Sequence, residues 1–312
     1  MTTSEFLPYR SEQARDTCYA YYDELAKRVW PAGTEERTVP TAFGPTFVRV
    51  NGPSGAPPIV LLPGAVATSL MWAPNVPALS AEHRTFAVDQ MGDIGRSVCQ
   101  KPVRTFDDLL AWLNELLDHL DLHAGVNLVG VSYGGALSAE YALHFPARLN
   151  KVVLLAPGGS VLRLNPKFLA RLILAAVASQ KQLPALLRWM FADMQRKDPQ
   201  WVEETQEQLF LNMKSLERRQ LPVPAVWSDS QWAGLKVPAL FLVGEHEVIY
   251  SARRATQRLA RVAPMVKAEI IPLAGHDLTF AQASMVNAKI LDFLKTAPSP
   301  IAEPCEARLR ST

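Results

Sequence analysis

Short apolar runs punctuate the chain, and each stops at glycine, proline or a polar residue. They fall at 59–62, 85–88, 126–129, 152–155, 239–243 and, with more polar character, 268–273. Runs of this length between turn residues predict buried strands. Between several of them the hydrophobic period becomes helical. Leu109, Leu110, Leu113, Leu116, Leu117 and Leu120 form one stripe behind Thr105-Phe106-Asp107-Asp108, a capping box with aspartate in place of glutamate. That pattern opens a helix running through Leu120. Stretches 136–143 and 251–262 predict further helices, as does a final one carrying Met285, Ile290, Phe293 and Leu294. Strands alternating with helices imply an α/β fold, a mostly parallel central sheet with both faces covered. Upstream, 37–40 and 46–51 predict two extended segments. In the second, Phe47 and Arg49 alternate with Val48 and Val50, the period of a strand exposed on one side.

Residues 160–235 break this rhythm. Three helices follow one another without a strand, beginning at Pro166 after Asn165, at Pro184, and at Pro199 after Asp198. This segment falls between the sixth and seventh strands and predicts a helical lid. Its Trp189, Met190, Phe191, Trp201, Phe210 and Met213 divide between a small core of the lid's own and an inner face lining an apolar pocket. Trp189 and Phe210 are the candidates for setting substrate size. Residues 1–34 predict an accessory helix, because Tyr21, Tyr22, Leu25, Val29 and Trp30 recur at helical spacing and Pro31-Ala32-Gly33 ends it. A stripe of this kind is a packing face. Residues 35–159 and 236–295 make up the core domain. From 296 to 312, three prolines and no periodicity predict a disordered tail.

Composition narrows the class. A chain of 312 residues, 48% hydrophobic and 20% charged, can bury one large α/β core and an insertion. The net charge of +2 gives no electrostatic case for nucleic acid. Cys18, Cys99 and Cys305 are scattered and odd in number, which favours a reducing compartment and offers no metal-ligand spacing. Residues 1–15 mix charges without an apolar core, so no secretory signal is expected, and the longest apolar run, 168–178, contains Arg171 and is too short to span a bilayer. These features predict a cytoplasmic location with no integral membrane segment.

The chemistry centres on Gly130-Val131-Ser132-Tyr133-Gly134. A Gly-x-Ser-x-Gly pattern between a strand and a helix is the context of a nucleophile elbow: the turn is so sharp that the residues two before and two after the serine must lack bulk. A serine hydroxyl needs a base, and the base needs an orienting acid. Of six histidines, His83, His119, His123 and His144 lie away from strand C-termini. His276 follows a strand directly in the loop Ala274-Gly275-His276. His246 also follows a strand, but at the place where the acid is expected, in Gly244-Glu245-His246-Glu247. Ser132, an acid near 247 and His276 thus all fall at strand C-termini, where open α/β sheets place their sites. Asp277 is adjacent to His276, and neighbouring loop residues rarely aim at each other. Glu247, two residues beyond Glu245 along its turn, can reach across to the histidine loop.

On these motifs the chain resembles the α/β-hydrolase superfamily over nearly its whole length. The order Ser132, Glu247, His276 is that family's order, and Asp89-Gln90-Met91-Gly92-Asp93-Ile94-Gly95-Arg96-Ser97 resembles its Asp-x-x-Gly-x-Gly-x-Ser loop with one extra residue. Leu242 to Tyr250 and the tyrosine-rich N-terminal helix look like a group of bacterial carboxylesterases. The resemblance implies Ser132 as nucleophile, His276 as base and Glu247 as its orienting acid, with Glu245 bracing the loop. It also implies an oxyanion hole formed by the backbone N–H groups of Ala65 and Tyr133. No cofactor or metal is expected, and the substrate is a small or medium apolar ester. Two departures stand out: Pro63 where relatives commonly carry histidine, and Glu247 where aspartate is commoner. The same triad also serves carbon–carbon bond hydrolases, thioesterases and lactonases, and the fold can act as a ligand receptor. Dehalogenase and epoxide-hydrolase chemistry is disfavoured, because those relatives carry aspartate at the position of Ser132.

Overall fold

Eight strands form a single sheet in the order β1-β2-β4-β3-β5-β6-β7-β8. They are β1 (Glu35–Val39), β2 (Thr46–Asn51), β3 (Pro58–Leu62), β4 (Arg84–Val88), β5 (Val126–Val131), β6 (Leu149–Leu155), β7 (Ala239–Gly244) and β8 (Val266–Ile271). The computed structural model describes residues 8–177, 182–216 and 221–296. The predicted tail beyond 296 and the first seven residues lie outside them. From β3 onward every pairing is parallel, while β2 pairs antiparallel with both β1 and β4. β5 and β7 are buried along their whole length, as continuous apolar runs at the centre of a parallel sheet should be. β8 ends at Ile271 because Pro272 has no N–H to continue the ladder.

The helices are α1 (Glu12–Val29), α2 (Val76–Leu79), α3 (Phe106–His119), α4 (Tyr133–His144), α5 (Pro166–Val177), α6 (Gln182–Met190), α7 (Ala192–Lys197), α8 (Pro199–Ser215), α9 (Asp229–Ala233), α10 (Ala252–Val262), α11 (Leu278–Ala281) and α12 (Ala283–Lys295). Alternate strand residues divide between two cores. Val60, Leu62, Leu128 and Leu154 pack under Leu113 of α3, Leu137 of α4 and Leu259 of α10. Ile59, Leu61, Val129 and Leu155 pack under Tyr22 of α1 and Ile290 of α12. Thr105 makes the expected capping box with Asp108 at the start of α3.

Two expectations change. The outer face of β2 is not exposed. α1 covers it, and Arg49 is buried with its guanidinium on the Glu36 carboxylate at 2.7 Å and above the rings of Tyr22, Trp30 and Phe47. A buried cation enclosed by aromatic faces and paired with a carboxylate is indistinguishable in sequence from a solvated one. The stretch between β6 and β7 holds five helices among the described residues rather than three. The short α7 follows a break at Phe191, and α9 is opened by a Ser228–Gln231 capping box that the sequence spells out. The predicted start at Pro184 falls at the third residue of α6. No helix among the described residues is long and apolar enough to cross a membrane.

Candidate active site

Ser132 sits between β5 and α4 at φ +52°, ψ −112°, a backbone conformation that side chains rarely adopt. The flanking glycines are what make it possible. A Cβ at Gly130 would lie 2.1 Å from the Gly134 carbonyl oxygen, and one at Gly134 would lie 2.4 Å from the carbonyl oxygens of Leu62 and Pro63. The elbow is pinned on both sides: Ser132 N–H donates to the Leu155 carbonyl at 2.9 Å, and its own carbonyl accepts from Gly158 N–H at 2.9 Å.

The structure brings the three expected side chains together. His276 Nε2 is 3.0 Å from Ser132 Oγ, and His276 Nδ1 is 2.9 Å from Glu247 Oε2. A carboxylate at Nδ1 can only accept, so Nδ1 carries the proton and Nε2 is left to accept from the serine hydroxyl. The Glu247 side chain is fully buried, and its other oxygen accepts from Ile249 N–H at 2.8 Å. Burial pulls the His276 pKa down. The Glu247 charge and hydrogen bond, with a smaller contribution from Asp277, outweigh it and leave the imidazole above its usual value.

The neighbouring acids have other partners. Glu245 is exposed and accepts from Leu273 N–H at 3.2 Å, bracing the turn into the histidine loop. Asp277 is buried. One oxygen accepts from Gly275 N–H at 2.9 Å and the other from Met194 N–H at 2.7 Å, which ties the histidine loop to α7. His246 Nδ1 lies 3.0 Å from Asp193 of the same helix.

Tyr133 is the first residue of α4, so the helix leaves its N–H without an internal partner. The Ala65 loop runs beside the serine: a Cβ on Gly64 would lie 3.4 Å from Ser132 Cβ. Ala65, Ser132 and His276 open onto a cavity of 290 Å³ whose wall is otherwise mostly apolar. The inserted helices supply Phe168, Phe191, Trp201 and Met213 to that wall. Trp189 and Phe210 are not among its lining residues. Trp189 instead lies under the Arg171 guanidinium, 4.2 Å from its ring centroid. The expectation that these two set substrate size is therefore corrected.

Sequence reasoning predicted α1 but missed its part in the cavity wall. Leu25 and Val29, taken as packing, line the cavity. Nothing local marks them, because an apolar stripe reads alike whether it faces a core or a cavity. Asp93 and Asn212, both buried, contact the Ala65 loop and were equally unmarked.

The comparisons with known proteins agree with this architecture. Residues 59–288 match the model of the Alpha/beta hydrolase family. The chain belongs to the alpha/beta hydrolase family. Within it, the chain is 32% identical over 286 residues to Carboxylesterase YbfK of Bacillus subtilis, covering 88% of this chain and 93% of that one. The crystal structure of naproxen esterase from Bacillus subtilis superposes with a TM-score of 0.82 at 31% identity, over 91% of this chain and 99% of the other. A meta-cleavage product hydrolase, CumD, shares the family's fold at a TM-score of 0.69 and 19% identity.

Proposed function

We propose that the protein is a serine carboxylesterase acting on small or medium apolar esters through an acyl-enzyme on Ser132, without a cofactor. The observation that carries this reading is the continuous relay from Glu247 through His276 to Ser132 Oγ, opening onto an apolar cavity. The similarity to carboxylesterases over most of the chain supports the same chemistry.

In this mechanism Ser132 Oγ attacks the ester carbonyl while His276 Nε2 takes its proton. The buried Glu247 carboxylate stabilises the imidazolium that forms. The carbonyl oxygen becomes an oxyanion and accepts from the N–H groups of Ala65 and Tyr133, each worth ~3 kcal/mol of barrier. His276 then protonates the leaving alcohol, leaving the acyl group on Ser132. Water, deprotonated by the same histidine, attacks the acyl carbon, and collapse of the second tetrahedral intermediate frees the acid. The inserted helices act as a lid whose apolar inner face selects the substrate.

A panel of p-nitrophenyl esters of increasing chain length tests the reading. Turnover with a burst of nitrophenol is expected, lost in Ser132→Ala by up to about a million-fold with an unchanged melting temperature. No turnover of any ester by the folded wild type would sink the esterase assignment. Full activity in Ser132→Ala would move the nucleophile elsewhere.

A further inference from the structure

The loop that carries Ala65 contains a conformation its sequence does not favour. Ala67 N–H donates to the Gly64 carbonyl at 3.2 Å, closing a four-residue turn whose third residue is Val66. Val66 has φ +59°. The third position of a turn with positive φ is a glycine or asparagine position, and a β-branched residue there is an outlier. Such a conformation persists only where its surroundings hold it.

Two buried side chains do so, one on each side of Val66. Asp93 Oδ2 accepts from Val66 N–H at 2.8 Å, while its Oδ1 accepts from Ile94 N–H at 2.7 Å. Asn212 Nδ2, on α8, donates to the Val66 carbonyl at 3.1 Å. Asp93 is 1% exposed and Asn212 3%. These hydrogen bonds go to Val66 and Ile94, and not to Ser132, His276 or the two oxyanion donors.

The consequence for Ala65 follows from peptide geometry. The Gly64 carbonyl and the Ala65 N–H belong to one planar trans peptide and point in opposite directions. Once the turn engages the Gly64 carbonyl with Ala67, the Ala65 N–H must face the other way. Gly64 and Ala65 both line the cavity beside Ser132.

We propose that Asp93 and Asn212 are positioning residues that hold Val66 in its left-handed conformation and thereby aim the Ala65 N–H at the oxyanion, an inference that rests on the acyl-enzyme reading above. Asp93 reaches the turn from the loop after β4 and Asn212 from the inserted helices. The Ala65 side of the oxyanion hole is therefore assembled from three separate parts of the chain.

The test uses the full-length protein and p-nitrophenyl butyrate. Asp93→Asn keeps the shape of the side chain but places an amide NH₂ against one of the two N–H groups. Asn212→Ala removes the donor to Val66. Each is expected to lower the acylation rate about tenfold or more, a fraction of the 10²–10³-fold loss typical when an oxyanion donor is removed altogether. KM is expected to stay within about twofold, since a transition-state contact is lost and not ground-state binding. The decisive arm is the Val66→Gly background. Glycine adopts positive φ at no steric cost, so there Asp93→Asn or Asn212→Ala should cost far less than in the wild type. A merely structural role would not give that rescue. An equal loss in both backgrounds, a rise in KM with kcat intact, or wild-type kcat in both single variants would overturn the proposal. If Asp93→Asn does not fold, Asn212→Ala carries the comparison. Failure of the esterase reading is distinguishable, because the wild type would then neither turn over the ester nor react at Ser132 with a fluorophosphonate.

Discussion

Glu245 and Glu247 stand two positions apart, and their surroundings give them different tasks. Glu247 is sealed from water and bonded to His276 Nδ1, while Glu245 is half exposed and bonded to Leu273 N–H. Of the two, Glu247 alone bonds to the imidazole. In the proposed mechanism the base must be neutral to accept the serine proton, and His276 titrates above its usual value, so kcat/KM should rise with pH through a limb above the ordinary histidine range. Glu247→Gln removes the charge and its charge-assisted hydrogen bond, the two larger influences that raise this pKa, and leaves the smaller one of Asp277 against the burial that lowers it. The limb should shift to lower pH while the plateau rate falls on the order of 10⁴-fold. A pH–rate profile of both forms checks this. An unmoved limb in Glu247→Gln, or the same loss in Glu245→Gln, would contradict the assignment.

At the level of elements, most of the sheet was legible because each interior strand is a run of apolar residues bounded by turn formers, and the sequence preserves that pattern whatever packs above it. The meeting of Ser132, His276 and Glu247 was legible for a related reason: the chemistry proposed for them demands particular residue types at strand ends. The cavity wall was not. Trp201 lines it and Trp189 does not, although both are tryptophans on inserted amphipathic helices. Which face of a helix meets the cavity depends on how helices pack against one another, and α7, which the sequence reading did not separate, packs on both α6 and α8. α1 supplies Leu25 and Val29 from a part of the chain far from the insertion. Substrate size should therefore be controlled from two sides. Trp201→Ala should extend the range to longer acyl chains, and Leu25→Trp should abolish turnover of longer esters while sparing the acetate. Trp189→Ala should leave the order of preference unchanged. A chain-length series of kcat/KM values for the three variants decides, and a uniform loss in Leu25→Trp would place that residue in the core instead.

Across the whole molecule, two buried carboxylates hold the loops above the sheet. Asp89 accepts from Ser69 and Arg96 N–H groups, and Asp93 from Val66 and Ile94. Burial raises the pKa of Asp93 from 3.8 to about 7, against the lowering effect of its two hydrogen bonds. A folded-state pKa above the unfolded one means that the native protein holds a proton the unfolded chain has released. Stability therefore falls as pH rises from 3.8 toward about 7 and levels off above it. Asp93→Asn cannot ionise, so its melting temperature should depend less on pH than the wild type's between about pH 5 and 7. Identical slopes would remove Asp93 as the cause. The Asp89–Ser97 loop is fastened in turn by Tyr9, whose hydroxyl donates to the Gly95 carbonyl at 2.9 Å and accepts from its N–H at 3.0 Å. Its neighbour Arg10 donates its backbone N–H to the Ser215 carbonyl at 3.0 Å, and its side chain reaches Leu216, 206 residues away. This strap sets an order on synthesis. Residues 9 and 10 leave the ribosome with neither of their partners yet made. Tyr9 can close on Gly95 once the loop after β4 has emerged, but the Arg10 contacts close only after the last turn of α8, and with it Asn212. The Val66 turn, beside the donor proposed above, thus lacks one of its two holds until α8 is made. Under the mechanism proposed above, a nascent chain carrying Ser132 stays catalytically silent until the inserted helices and, beyond them, Glu247 and His276 have been translated.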